Sequence, residues 1–242
     1  MTENNAINFL LYSYFELTLD DKEPAILDAA MERAYRDASG RVLSIAEELG
    51  GNEAYKGEAK EKLRSQITEL SKLTTPVDYE KWLYATCEIL LKAYTSAKDK
   101  NEDTAFYFGH AQKWVNMTMK YLYVIKTIFK KYDKDVPSWL TLDLEKQLHI
   151  PVDSYIMEAA TKKKVNFSYG LNIQLPGKSK ELAPYSSAKS WSKWEVREYR
   201  TFRTELKGKI SEDSPLDWEG PAWIEIAKHR KAKEKNKKEK NT

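Results

Sequence analysis

An all-α fold is predicted by three features of the sequence. Apolar residues recur at three- and four-residue spacing, alternating strand-like patterns are scarce, and the periodic segments are separated by short breaks rich in glycine and proline. In chain order the periodic segments are Ile26 to Leu49, Lys62 to Leu73, Tyr79 to Thr95, Phe106 to Phe129 and Asp153 to Ala160. Their boundaries are marked by Gly50-Gly51, by Thr75-Pro76 just ahead of the Tyr79 segment, by Lys134 to Ser138, and by Ile150-Pro151. Lys163 to Ser190 carries Asn166, Gly170, Pro176, Gly177 and Pro184 with little helical pattern, so it reads as a long loop or small hairpin inserted between helices. Helical pattern resumes from Trp191 to Lys209, rich in aromatic residues and arginine, and a last helix is expected to start near Pro221 and run into a basic tail.

Composition narrows the class. A chain of 242 residues with 41% hydrophobic content fills one sizeable domain or two small lobes. No apolar run approaches the roughly 20 residues that span a bilayer, and Met1 to Asn8 has no basic stretch of the kind that opens a secretory signal, so a cytoplasmic protein away from membranes is expected. The single cysteine, Cys87, excludes an internal disulfide, and three scattered histidines (His110, His149, His229) offer no ligand spacing, so neither metal nor cofactor is expected. Nothing indicates more than a monomer. The net charge of +3 is uneven: from Lys228 to Thr242 eight basic residues face two acids. Such a segment attracts phosphates without reading sequence, although a Lys/Glu helix end is also an ordinary solvated tail.

The most informative segment is Phe108 to Phe129. At about 100° per residue, Trp114, Val115, Met119, Leu122, Ile125 and Phe129 form one broad apolar face. Lys113, Asn116, Lys120 and Thr127 fall in a narrow stripe opposite much of it. Taken alone, that stripe is the wet side of an amphipathic helix. Phe108, Trp114, Tyr121 and Tyr123 crowd around it, however, and a lysine drawn out of water has its ammonium form disfavoured. A neutral amine is a nucleophile. His110, one turn before Lys113, is a candidate for a phosphate or pocket contact, or a satisfied structural residue.

A second element follows at Leu148 to Tyr155, where apolar residues lead through Pro151 to Asp153, placed to cap the helix that begins at Ser154. A capping carboxylate held by backbone donors stays ionised, so the same group can also stabilise developing positive charge.

These residues resemble the archaeal-type 8-oxoguanine DNA glycosylases, a branch of the helix-hairpin-helix glycosylases. That branch carries two lysines seven positions apart on one helix, followed by a Pro-Val-Asp element; Lys113 and Lys120 have the spacing, and Pro151-Val152-Asp153 the element. The resemblance implies a glycosylase-like fold of two helical lobes with the active site in the cleft between them, spanning residues 1–227 with 228–242 as the basic tail. It implies Lys113 as Schiff-base nucleophile, Asp153 as its catalytic partner and Lys120 as a base-contacting residue. Glu80 to Trp82 resembles a stretch whose tryptophan contacts the base, and Pro215, Leu216 and Trp223 resemble a run leading to a later pocket tryptophan. Asn116, on the lysine stripe, joins these as a substrate-binding candidate.

The implied reaction rotates a modified base out of double-stranded DNA, holds it between aromatic rings such as Trp82 and Trp223, and breaks its bond to the sugar. An abasic site results, and strand cleavage follows if the lysine adduct eliminates. The resemblance points to 8-oxoguanine. The residues that read the base in that family have no match here and the Lys163 to Ser190 insert has no counterpart, which favours a bulky hypermodified base of phage DNA, with excision as antiviral defence. The alternative from another class is a catalytically silent helical module that binds DNA or a partner, with the lysine stripe on phosphates and Asp153 as a cap alone. No carboxylate cluster with metal-binding spacing suggests a nuclease.

Overall fold

A computed structural model describes residues 1–39, 51–73, 75–94, 106–137, 144, 146–178, 181–210 and 214–239. They are helical apart from connecting turns and one pair of two-residue strands. The chain divides into two compact units, Met1–Pro151 and Val152–Thr242. No helix among the described residues is long and apolar enough to cross a membrane.

The first unit contains α1 (Glu3–Phe15), α2 (Ala25–Ser39), α3 (Gly51–Thr68) with a 3-10 turn after it (Glu69–Lys72), α4 (Pro76–Ala93) and α5 (Phe108–Lys131). Local chemistry sets several ends. Thr2 Oγ1 accepts from the Asn5 amide at 3.3 Å, and α1 stops where Glu16 turns left-handed with φ 60° and donates to the Tyr12 carbonyl. Thr75 Oγ1 accepts from the Asp78 amide at 3.2 Å, and Pro76 occupies the first turn of α4. The expected helix from Ile26 is α2; its residues 40–49 lie outside the described residues, as do Gly50, Thr95 and Ser138.

Helix α5 is the hub, packed chiefly on α2 and then on α4. Trp114 shows how: its ring meets Tyr35 edge-on at 4.8 Å and its Nε1 donates to the Met31 carbonyl at 3.0 Å, so this fully buried indole leaves no polar atom stranded. Phe108, Leu122, Ile125 and Phe129 are fully buried, as are Leu27, Met31 and Ala34 of α2 and Leu83, Cys87 and Leu90 of α4. Each such side chain is worth about 1.5–3 kcal/mol of transfer free energy.

The second unit contains α6 (Ser154–Thr161), an antiparallel pair β1 (Leu175–Pro176) and β2 (Leu182–Ala183), α7 (Val196–Lys207) and α8 (Pro215–Glu239). The insert expected between Lys163 and Ser190 therefore holds a small hairpin, with Leu175 opposite Ala183 and Pro176 opposite Leu182. Its core joins Ile156 and Ala160 of α6 to Trp218, Ala222 and Ile226 of α8, with Trp194, Tyr199 and Phe202 from the α7 region. The last helix starts six residues earlier than expected. Pro215 takes the first-turn position, and Pro221 lies inside α8. Burial of Trp218 and Ala222 on either side of Pro221 outweighs the one backbone donor that this proline lacks. The basic residues from Lys228 continue the same helix as far as Glu239.

Candidate functional site

Helix α5 buries its first half on every side: all residues from Phe108 to Asn116 are buried. The lysine stripe is therefore no wet face. Lys113 is 8% exposed and Asn116 1%, Lys120 is half-buried, and only Thr127 is exposed. The stripe runs from the interior outward along the helix axis. A row of polar side chains accompanies Lys113 inside. Gln112 Nε2 donates to the Gly109 carbonyl at 2.9 Å, and Asn116 Nδ2 donates to Gln112 Oε1 at 3.2 Å. Sequence reasoning passed over Gln112, although its four-residue spacing to Asn116 is the available signal. Lys126, a second lysine buried on α5 at 5% exposure, was also missed.

His110 has a structural task. Its Nδ1 accepts from the Tyr107 amide at 3.1 Å, satisfying a donor at the start of α5, and its ring stacks on Phe106 at 5.4 Å. An accepting Nδ1 puts the ring proton on Nε2. Trp82 is likewise held within the first unit: 7% exposed, it lies against Tyr79 at 5.4 Å and donates from Nε1 to the Gln66 carbonyl at 3.0 Å. Packing and a satisfied indole account for that ring.

In the second unit Asp153 caps α6 as expected. Its Oδ1 accepts from the amides of Tyr155 at 2.8 Å and Ile156 at 3.0 Å. Those donors hold the carboxylate at the amino end of the helix. The Tyr155 ring then stacks on Trp223, centroids 4.8 Å apart. Trp223 is 38% exposed, unlike the other candidate tryptophan. Arg230 stands 4.0 Å from the centroid of Tyr155. Its guanidinium donates to Glu158 Oε2 at 2.8 Å, the Ser154 carbonyl at 2.9 Å and the Tyr185 hydroxyl at 2.8 Å. Burial pushes the Glu158 carboxyl up, but its bonds to Arg230 and Lys162 outweigh this and hold it below the usual glutamate range. Arg230, Glu158 and Tyr185 fix the α6 start that carries Asp153, and none was singled out from sequence.

The structure thus groups the candidates by unit. Asp153 and Trp223 share one constellation through Tyr155, whereas Lys113, Asn116, Lys120, His110 and Trp82 belong to the first unit. Chemically, one unit offers a withdrawn primary amine among amides, and the other an anchored carboxylate beside an accessible indole. The chain matches no protein-family model, no curated protein and no solved structure.

Proposed function

We propose that this protein is a DNA glycosylase that flips a modified base out of the duplex and excises it. The observation that carries the reading is Lys113: lysine is rarely buried, and this one lies 8% exposed at the position that the two-lysine pattern assigns to the nucleophile. In this reaction the Lys113 amine attacks the sugar C1′ while the bond from C1′ to the base breaks. The base leaves with that electron pair and takes up a proton. Positive charge builds on the sugar as the bond lengthens, and the Asp153 carboxylate, held in place by its backbone donors, stabilises it. The lysine-bound sugar nitrogen then loses a proton and the C1′–O4′ bond breaks, O4′ taking up a proton as the nitrogen lone pair forms an imine, which eliminates to a strand break or is hydrolysed to an abasic site.

Trp223 is the stacking partner for the extruded base, since its exposed ring is already braced from behind by Tyr155. Lys120, half-buried about two turns beyond Lys113, contacts the base. A bulky hypermodified base is favoured over 8-oxoguanine, because the base-reading part of the family pattern is the part without a match. The test is incubation with duplexes carrying 8-oxoguanine or glucosylated and other bulky cytosines, followed by measurement of free base and abasic sites. Release of one base supports the proposal and names the substrate. Tight binding with no release from any duplex assigns the chain instead to a silent DNA-binding module.

A further inference from the structure

In the second unit, residues 162–173 form a loop closed on itself. The Lys162 carbonyl accepts from the Asn172 amide, and the Ala160 carbonyl from the Ile173 amide, both at 2.9 Å. Gly170 sits where the two limbs cross: a Cβ there would lie 2.5 Å from the Lys162 carbonyl oxygen, so the close approach admits only glycine. Helix α8 fastens the loop from below. Trp218 Nε1 donates to the Tyr169 carbonyl at 3.1 Å, and the Glu225 carboxylate accepts from the amides of Ser168 at 2.9 Å and Tyr169 at 3.3 Å. These are the contacts of a pre-organised loop with both ends pinned.

Beside it opens a cavity of about 750 Å³, lined among others by Lys163, Lys164 and Lys209, with Tyr169, Asn172 and Trp218. The three lysines are exposed and form no ion pair among the described residues. Among the described residues no carboxylate lines the cavity, and Glu225, which touches the loop, is spent on backbone donors. We infer that this cavity is a phosphate site that grips the backbone of the bound DNA strand.

The donor chemistry selects that ligand. Three ammonium groups on flexible stems act as point charges, with no planar fork to read a base edge, which suits contacts that position DNA without specifying sequence. The volume is more than one phosphate occupies. The electropositive path also continues along one element. From Trp218, α8 leads to the exposed Lys231, Lys233 and Lys235, the first of them roughly 20 Å away along the helix, or about six base-pair steps at 3.4 Å. The inference rests on the reading of DNA as substrate and adds where its backbone is held.

The experiment measures binding of an unmodified duplex against salt concentration for the wild type, for the triple variant Lys163→Ala/Lys164→Ala/Lys209→Ala, for the same three positions changed to arginine, and for Lys92→Ala/Lys130→Ala/Lys131→Ala as a charge-matched control. The cavity variant is expected to bind at least tenfold more weakly at low salt, with the slope of log affinity against log salt reduced by about 2–3. The arginine variant should keep both, and the control should change the slope by less than one. An unchanged slope, an equal effect of the control, or loss of inorganic phosphate binding with intact duplex binding overturns the inference. Base release is read separately: lysine-dependent binding without release of any base removes the excision reading alone, and release with lysine-independent binding removes this one alone.

Discussion

Trp223 and Tyr155 stack with ring planes 24° apart, and the Arg230 guanidinium lies 4.0 Å from the same tyrosine centroid. A ring and a guanidinium that close cannot share a face, so Tyr155 is covered on both sides. Its amide meanwhile donates to Asp153. One residue therefore holds both the carboxylate proposed to stabilise the sugar cation and the indole proposed to stack on the base.

Replacing Trp223 by alanine should weaken substrate binding and leave the fold intact. Stacking on a base is worth about 1–3 kcal/mol, so KM is expected to rise about tenfold to a hundredfold with little change in kcat. The lost contact with Tyr155 costs about 0.5–1.5 kcal/mol of stability, measurable by thermal melting. Trp223→Phe should recover most of the binding. An unchanged KM in the alanine variant would leave Trp223 as a cover for Tyr155 only.

Asp153 has a cap role and a proposed chemical role, and two substitutions separate them. Asparagine caps helices about as well as aspartate, so Asp153→Asn should melt near the wild type and yet release base at least a hundredfold more slowly. Asp153→Ala should be slow as well and lose about 0.5–2 kcal/mol of stability. Near-normal turnover in the asparagine variant would reduce the residue to a cap.

Lys113→Gln and Lys120→Gln each remove one positive charge from the same stripe of α5. Borohydride should trap a covalent complex of wild type with substrate or abasic DNA, and the first variant should lose that complex and most base release. The second should still be trapped, with altered preference among modified bases. Trapping that survives Lys113→Gln unchanged would assign the nucleophile elsewhere.

Glu158 and Arg230, far apart in sequence, brace the α6 start on α8. The Glu158 carboxyl is depressed in the folded state, so its stabilisation is present above the ordinary glutamate value and is lost as pH falls through the lower folded value. Glu158→Gln should therefore cost about 1–3 kcal/mol at pH 7, with the difference from wild type shrinking on acidification below about pH 4.5. The same ion pair dictates how the basic segment is tested. Truncation from Lys228 removes Arg230 and should lower the melting temperature, whereas truncation from Lys231 should spare the fold and only flatten the salt dependence of DNA binding.

How much was legible varies with how local the cause is. Thr75-Pro76 was legible as a helix boundary and Asp153 as a cap, because such signals lie among residues two or three apart; the structure adds that Thr75 is itself a cap. Pro151 coincides with the end of the first unit. Helix α1 was passed over because its apolar residues circle the axis: Leu11 and Phe15 are buried four apart while Phe9, Leu10 and Tyr12 are exposed, which blurs the period. At Pro221 a local preference gave the wrong start, since burial of Trp218 and Ala222 overrode it.

The sequence by itself determined the helical class, the Asp153 cap, the insert between Lys163 and Ser190 and the line of Lys113, Asn116 and Lys120 along one helix, because spacing and short-range hydrogen bonding are properties of neighbouring residues. Only the tertiary structure decided that Lys113 is inside, that His110 and Trp82 are held by backbone groups in their own unit, and that Trp223 alone among the aromatic candidates meets solvent. Burial depends on which elements pack against a face, and that partner comes from distant sequence, as Met31 reaching Trp114 and Arg230 reaching Glu158 both show.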